Sequence, residues 1–354
     1  MAPVGARHLE SSIRDALYVV SHGRLDTTKP HRFYGILNDR CNLRCRSCPA
    51  WRLDQYPVEL PSAEWIRVLG EIRDYVGAFY INFAGGEPLL KEGLFDILNY
   101  CRDNQILAGI TSNGAILRDR QATQLVDARV FSLNLSLDGA TAATHDHLRG
   151  SRGSFDRVLR TIALMQAHAD REHVKLPLVV KATVSRPNLH EMTDLVRLAT
   201  DVGASGVLFQ PLSDWGTPEL PEMWIDDMSA LDATVATLVD MKRAGHAILN
   251  TEEEIQDWPR HFRGESTVAN DGWVQCWVGI TTLRIDADGS VSHCGPLDQI
   301  GHVRDQSIAE IWEGETARQR RLESTVCTRG CGLSCTKHRS IRREITGAVH
   351  FLQR

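Results

Sequence analysis

From residue 32 to residue 212 the chain keeps a single rhythm. Strand-like apolar runs occupy 32–38, 78–84, 107–112, 130–137, 177–184 and 206–212. Between them, residues 62–76, 94–104, 118–128, 154–169 and 190–202 space their apolar positions as a helix does. Strands alternating with amphipathic helices build βαβ units and a parallel sheet. The runs read as apolar on both faces, as strands covered by helices should be. Six units fall short of the eight that close a barrel. The expected fold is therefore α/β, a partial (β/α)6 TIM-like barrel. In such sheets ligands bind beyond the C-terminal ends of the strands.

The rest of the chain divides around this unit. Residues 1–31 are expected to be a helical extension, with apolar helical spacing over 9–22. The barrel spans 32–213, and 214–265 reads as a proline-bearing linker leading into a polar helix near 226–245. A small α+β domain is expected at 266–345, followed by a tail at 346–354. Within that domain, TTLRIDADGSVSHC reads as a hairpin turning at Asp288-Gly289. A net charge of −5 gives no reason to expect nucleic acid as a partner. No apolar run approaches the roughly 18 residues needed to cross a bilayer. The N-terminus lacks the charged and apolar regions of a secretory signal, so the expected location is cytoplasmic.

In a reducing compartment, clustered cysteines bind metal or carry chemistry more often than they form disulfides. Of nine cysteines, three lie at 41, 45 and 48, and five at 276, 294, 327, 331 and 335. Cys101, alone in a helical pattern, reads as a buried small hydrophobe. CNLRCRSC (41–48) follows the first strand and stops one thiol short of a complete tetrahedral site. A [4Fe-4S] cube held by three thiolates leaves one iron open to a chelating molecule. Zinc is the competing reading of such a loop.

A C-x3-C-x2-C loop after the first strand of a βα barrel resembles the signature of the radical S-adenosylmethionine (SAM) enzymes. Gly85-Gly86-Glu87-Pro88 after the second strand matches that family's GGEP motif. Thr111-Ser112-Asn113-Gly114 and Ser136-Leu137-Asp138-Gly139 resemble its polar strand ends around SAM. The resemblance implies that Cys41, Cys45 and Cys48 hold a [4Fe-4S] cluster whose fourth iron takes the amino and carboxylate groups of SAM. Gly85, Gly86, Glu87, Pro88, Ser112, Asn113, Ser136 and Gln210 are then expected around the cofactor, with Glu87 receiving the SAM ammonium. Ser47 departs from the aromatic residue usual in the family before the third cysteine. The implied chemistry is reductive cleavage of SAM to a 5′-deoxyadenosyl radical, fed by a flavodoxin- or ferredoxin-type electron donor.

Cys276, followed by Gly289 and Cys294, resembles the opening of the SPASM auxiliary-cluster domain or its shortened form, twitch. Five cysteines rather than seven imply one auxiliary [4Fe-4S] cluster. Its expected ligands are Cys276, Cys294, Cys331 and Cys335, with Cys327 as an alternative ligand or a hydrogen-atom donor. The expected substrate is a small sugar, aminocyclitol or sugar nucleoside of antibiotic biosynthesis, undergoing alcohol oxidation. The alternatives are epimerisation or decarboxylation of that substrate class, or a peptide maturase; only 31 residues precede the first strand, too few for an appended peptide-recognition domain. Gln210 and the run His145-Asp146-His147-Leu148-Arg149 are candidate substrate-facing groups. A non-enzymatic iron–sulfur or zinc module would lack these strand-end motifs.

Overall fold

The computed structural model describes residues 4–265, 273–327 and 331. Cys335, the 346–354 tail and the start of the expected C-terminal domain at 266–272 lie outside the described residues. Nine strands form one sheet in the order β6-β5-β4-β3-β2-β1-β7-β8-β9. The first six are β1 (Arg32–Ile36), β2 (Tyr80–Ala84), β3 (Leu107–Ser112), β4 (Ser132–Ser136), β5 (Leu178–Val184) and β6 (Gly206–Pro211). Each pairs in parallel with its neighbour in sequence. All six C-terminal ends therefore open on one side, which is the partial barrel expected.

The helices connecting them are α2 (Ser62–Val76), α3 (Leu94–Asp103), α4 (Asp119–Asp127), α5 (Ala142–Arg149), α6 (Ser154–Arg171) and α7 (Met192–Asp201), after an N-terminal α1 (Val4–Val20). Helix α5 is absent from the periodicity reading. It is short, capped at its start by Thr141, whose hydroxyl accepts from Thr144 N–H (3.3 Å), and at its end by left-handed Gly150. Asp146 inside it accepts from Ser154 Oγ (2.8 Å) and Phe155 N–H (2.9 Å), holding the start of α6.

The two faces of the sheet differ, which corrects the reading of runs apolar on both. Phe33, Ile81, Phe83, Ile110, Leu133 and Val180 point outward into the core with Trp65, Leu69 and Ile97 of the helices. Tyr34, Asn82, Thr111, Asn134, Lys181 and Gln210 stand between them, half-buried. Asn134 Nδ2 donates to Asn82 Oδ1 (3.1 Å), and Thr111 Oγ1 lies 3.3 Å from the same oxygen. Hydrophobic side chains are needed only where helices cover the sheet. The other face keeps its polarity, and Asn82, Thr111 and Asn134 pair with one another there.

The C-terminal region does not build a separate sheet. β7 (Thr282–Ile285) adds in parallel to the free edge of β1. β8 (Ser290–Ser292) and β9 (Gly301–His302) continue from it antiparallel. The expected hairpin is present: Gly289 has φ +101°, and Asp288 Oδ1 accepts from Ser290 N–H (2.9 Å). Edge addition satisfies the backbone groups that β1 would otherwise leave open. A second small core joins Tyr18 of α1 to Val274 and Ile280, and Trp273 Nε1 donates to Val19 O (2.8 Å). Cys101 is fully buried in α3, as expected, and burial pushes its thiol up to about 12.

Candidate active site

The cysteine loop leaves β1 and is stitched to the loop after β2. The strand ladder runs past the end of the strands: Leu37 N–H donates to Ala84 O (2.9 Å), Gly86 N–H to Asn38 O (2.8 Å) and Glu87 N–H to Arg40 O (2.8 Å). Arg40 directly precedes Cys41. Both glycines are required by this approach. A Cβ on Gly86 would sit 2.7 Å from Asp39 O and nearer still to the Arg40 carbonyl, and Gly85 has φ +140°.

The Glu87 carboxylate is 0% exposed. It accepts from Ser112 Oγ (2.8 Å), Asn113 N–H (2.8 Å) and Leu89 N–H (3.1 Å). Burial raises its pKa, and these donors pull it back. Both oxygens thus tie the end of β2 to the end of β3. Ser112 is committed in the same way, since its hydroxyl also accepts from Gly114 N–H (3.0 Å). Pro88 is buried at the start of the turn that follows. Ser136 stands half-buried on the concave side of β4. Gln210 lines a small recess of about 30 Å³ with Lys181, Asn250 and Glu254.

Around the thiols the donors are sparse and local. Leu43 N–H lies 3.4 Å from Cys41 Sγ, and Asn113 Nδ2 lies 3.7 Å from the same sulfur while donating to Asn42 Oδ1 (2.9 Å). Trp51 Nε1 donates to Cys45 O (2.9 Å). Arg46 N–H donates to Leu148 O (2.9 Å), and Arg46 and Arg52 pair with Glu222 and Glu219 on the segment after β6. Burial raises the Cys41 thiol to about 11 and raises Cys45 as well. Cys41 and Cys45 therefore favour the neutral thiol, and a cation that binds them must displace their protons. Three soft sulfur donors on one loop fit iron–sulfur ligation.

Within the run 145–149, His145 and Arg149 are turned into the protein, while His147 is exposed. His145 is fully buried, and its Nδ1 accepts from Asp138 N–H (3.1 Å). Arg149 lies 14% exposed, paired with Asp138 Oδ2 at 2.7 Å and 3.8 Å from Cys45 Sγ. Both residues support the end of β4 and the cysteine loop. Sequence reading missed this because nothing in AATHDHLR reveals which side of a short helix is covered. Burial holds the His145 pKa near 4, with Arg149 and Arg157 lowering it and Asp138 and Asp146 opposing. A folded pKa below the unfolded 6.5 means that the unfolded chain takes up the proton first as pH falls. Stability is then complete above pH 6.5 and declines toward pH 4. Between pH 7.5 and pH 5 the expected loss is about 2 kcal/mol from this residue. Denaturant titration of the wild type and His145→Asn at both pH values checks it; equal losses in the two would refute it.

In the C-terminal region, Gln275 N–H donates to Thr325 O (2.5 Å), bringing the segments of Cys276 and Cys327 side by side. Cys276 is buried, and Cys294 follows β8 half-buried. Cys331 O accepts from Ser213 Oγ (2.7 Å), just beyond β6. Four of the five cysteines are thus described, and one of them reaches the mouth of the barrel. Among the described residues, no three His, Cys, Asp or Glu side chains form a group that could hold a single metal ion.

A parallel half-barrel with three thiols at its first strand end, and a cysteine-rich region added at the β1 edge, defines an iron–sulfur α/β-barrel protein. Residues 36–196 match the radical SAM superfamily, and residues 276–336 match SPASM, an iron–sulfur cluster-binding domain. The chain belongs to the radical SAM superfamily and carries a C-terminal SPASM domain; it is a radical SAM enzyme that uses SAM and [4Fe-4S] clusters. A PqqA peptide cyclase from Methylocella silvestris is 27% identical over 78% of this chain and 72% of its own. The sporulation killing factor maturation protein SkfB of Bacillus subtilis is 28% identical over 86% and 70%. An AdoMet-dependent heme synthase from Methanosarcina barkeri is 27% identical over 87% and 89%. The fold is also that of Streptococcus suis SuiB, crystallised with S-adenosylmethionine, at a TM-score of 0.66 and 15% identity over 83% of this chain and 68% of that one. No helix among the described residues is long and apolar enough to cross a membrane.

Proposed function

We propose that the chain is a peptide-modifying radical SAM enzyme. The observation that carries this reading is the resemblance, over most of the chain, to a peptide cyclase and a killing-factor maturation protein. They favour the peptide alternative over the sugar or aminocyclitol substrate first expected. When bound, the cluster and SAM supply a 5′-deoxyadenosyl radical that abstracts hydrogen from an unactivated carbon.

The chain's own residues have separable roles. Cys41, Cys45 and Cys48 hold the cluster. Gly85 and Gly86 bring the backbone close enough for their carbonyls to accept from the SAM ammonium. Glu87 and Ser112 fix the two strand ends, while Asn113 steadies Cys41. Cys276, Cys294, Cys331 and Cys335 hold an auxiliary cluster, with Cys327 as alternative ligand or hydrogen donor. The barrel spans 32–213 and the auxiliary domain 266–345. Beside the strap after β6, Leu220, Pro221 and Trp224 line a groove of about 400 Å³ between Asp214 and Asp226. An apolar side chain of a peptide fits that groove better than a sugar does.

The heme synthase likeness, which spans 89% of that relative, supports a second reading with a tetrapyrrole-type substrate. Anaerobic reconstitution with SAM and dithionite separates these readings, using pools of peptides, porphyrins and aminocyclitols. Peptide pools are expected to raise 5′-deoxyadenosine at least tenfold above the substrate-free level and to return a peptide of changed mass. Stimulation by porphyrins alone would select the second reading, and stimulation by aminocyclitols alone would overturn both.

A further inference from the structure

Cys41 and Cys45 do not share an environment. The donors near Cys41 are neutral: Leu43 N–H at 3.4 Å and Asn113 Nδ2 at 3.7 Å. Cys45 instead faces the Arg149 guanidinium, whose Nη1 is 3.8 Å from the sulfur. That guanidinium is not a mobile surface charge. Its Nε lies 2.7 Å from Asp138 Oδ2, and the two side chains are 14% and 7% exposed. Asp138 is itself fixed, since Oδ1 accepts from Thr183 N–H (2.9 Å) and its own N–H donates to His145 Nδ1 (3.1 Å).

The backbone locks the same juncture. Arg46 N–H donates to Leu148 O (2.9 Å), so the last turn of α5 is pinned to the cysteine loop. Gly150, with φ +59°, lets the chain leave against the Arg44 carbonyl, whose carbon would lie 3.0 Å from any Cβ there. The sequence 138–150 thus presents one buried cation, balanced by one buried anion, to one of the three thiolates.

We propose that the Asp138–Arg149 pair sets the reduction potential of the cluster held by Cys41, Cys45 and Cys48, with Arg149 as a positioning residue acting through Cys45. The inference rests on the ligand assignment made above. Reduction adds one electron to the cluster, so a nearby positive charge favours the reduced form and a nearby negative charge opposes it. Opposite substitutions should therefore move the potential in opposite directions. A residue that only props up the loop would not do this.

The test uses the full chain, reconstituted with iron and sulfide and titrated with dithionite under EPR. Addition of SAM identifies the open-iron cluster, because SAM perturbs the signal of that cluster alone. Arg149→Gln is expected to shift its midpoint to more negative potential, and Asp138→Asn to more positive potential, both at wild-type iron content. Arg149→Lys, which keeps the charge, should stay nearer to the wild type than Arg149→Gln. Shifts of the same sign, no shift, or loss of iron in both Arg149→Gln and Asp138→Asn would overturn the proposal and leave the pair a structural prop. If the wild-type chain itself takes up iron but shows no SAM-perturbed signal, the ligand assignment fails instead.

Discussion

Replacing Cys41, Cys45 and Cys48 together with alanine is expected to lower 5′-deoxyadenosine production to the level of a protein-free control. It should also remove about four iron atoms per chain, one cube's worth, while the iron of the SPASM region stays. The reason lies in the loop itself. Its thiols are half-buried, and Cys41 is pushed up to about 11 without a metal. The loop's backbone is held by Arg40 O, Leu148 O and Trp51 at 2.8–2.9 Å, and the sulfurs add only contacts of 3.4 Å and longer, so the variant should fold with little change in its denaturation midpoint. Parallel measurements of iron, 5′-deoxyadenosine and chemical denaturation check all three statements. Turnover surviving in the iron-depleted variant would refute the assignment of these cysteines.

The second large effect concerns a residue with no functional group. Gly86→Ala should destabilise the chain by about 3 kcal/mol, the upper end of overpacking costs, and weaken SAM binding at least tenfold. The added methyl group meets backbone, not a side chain that can rotate away: Asp39 O at 2.7 Å and the Arg40 carbonyl closer still. Relief requires opening the Glu87 N–H to Arg40 O bond, which separates the GGEP turn from the residue preceding Cys41. Gly245→Ala is the control, since nothing lies within 4 Å of its Cβ position and only its φ of +94° opposes the change; its expected cost is roughly 1 kcal/mol. Denaturation and SAM titration of both variants decide the matter. A Gly86→Ala protein as stable as Gly245→Ala would show that the two loops move apart freely.

By itself, the sequence determined much of this protein. Periods of 2 and 3.6 located six strands and five of the helices that cover them, because a strand or helix must turn apolar side chains to whatever buries it. Parallel order then placed CNLRCRSC, GGEP, TSNG and SLDG at one end of the sheet, since every crossover returns the chain to the same starting side. Asp288-Gly289 marked a hairpin for a local reason, the positive φ that glycine allows.

Tertiary structure decided what depends on partners distant in the chain. It turned Glu87 inward to Ser112 and Asn113, buried His145 beneath Asp138, and aimed Arg149 at Cys45, 104 residues earlier. It made the inner barrel face polar, where Asn82, Thr111 and Asn134 satisfy one another from three strands. It also gave the C-terminal hairpin to the edge of β1. A polar side chain can be buried only when its hydrogen bonds are met. Those bonds come from residues that no local pattern brings together.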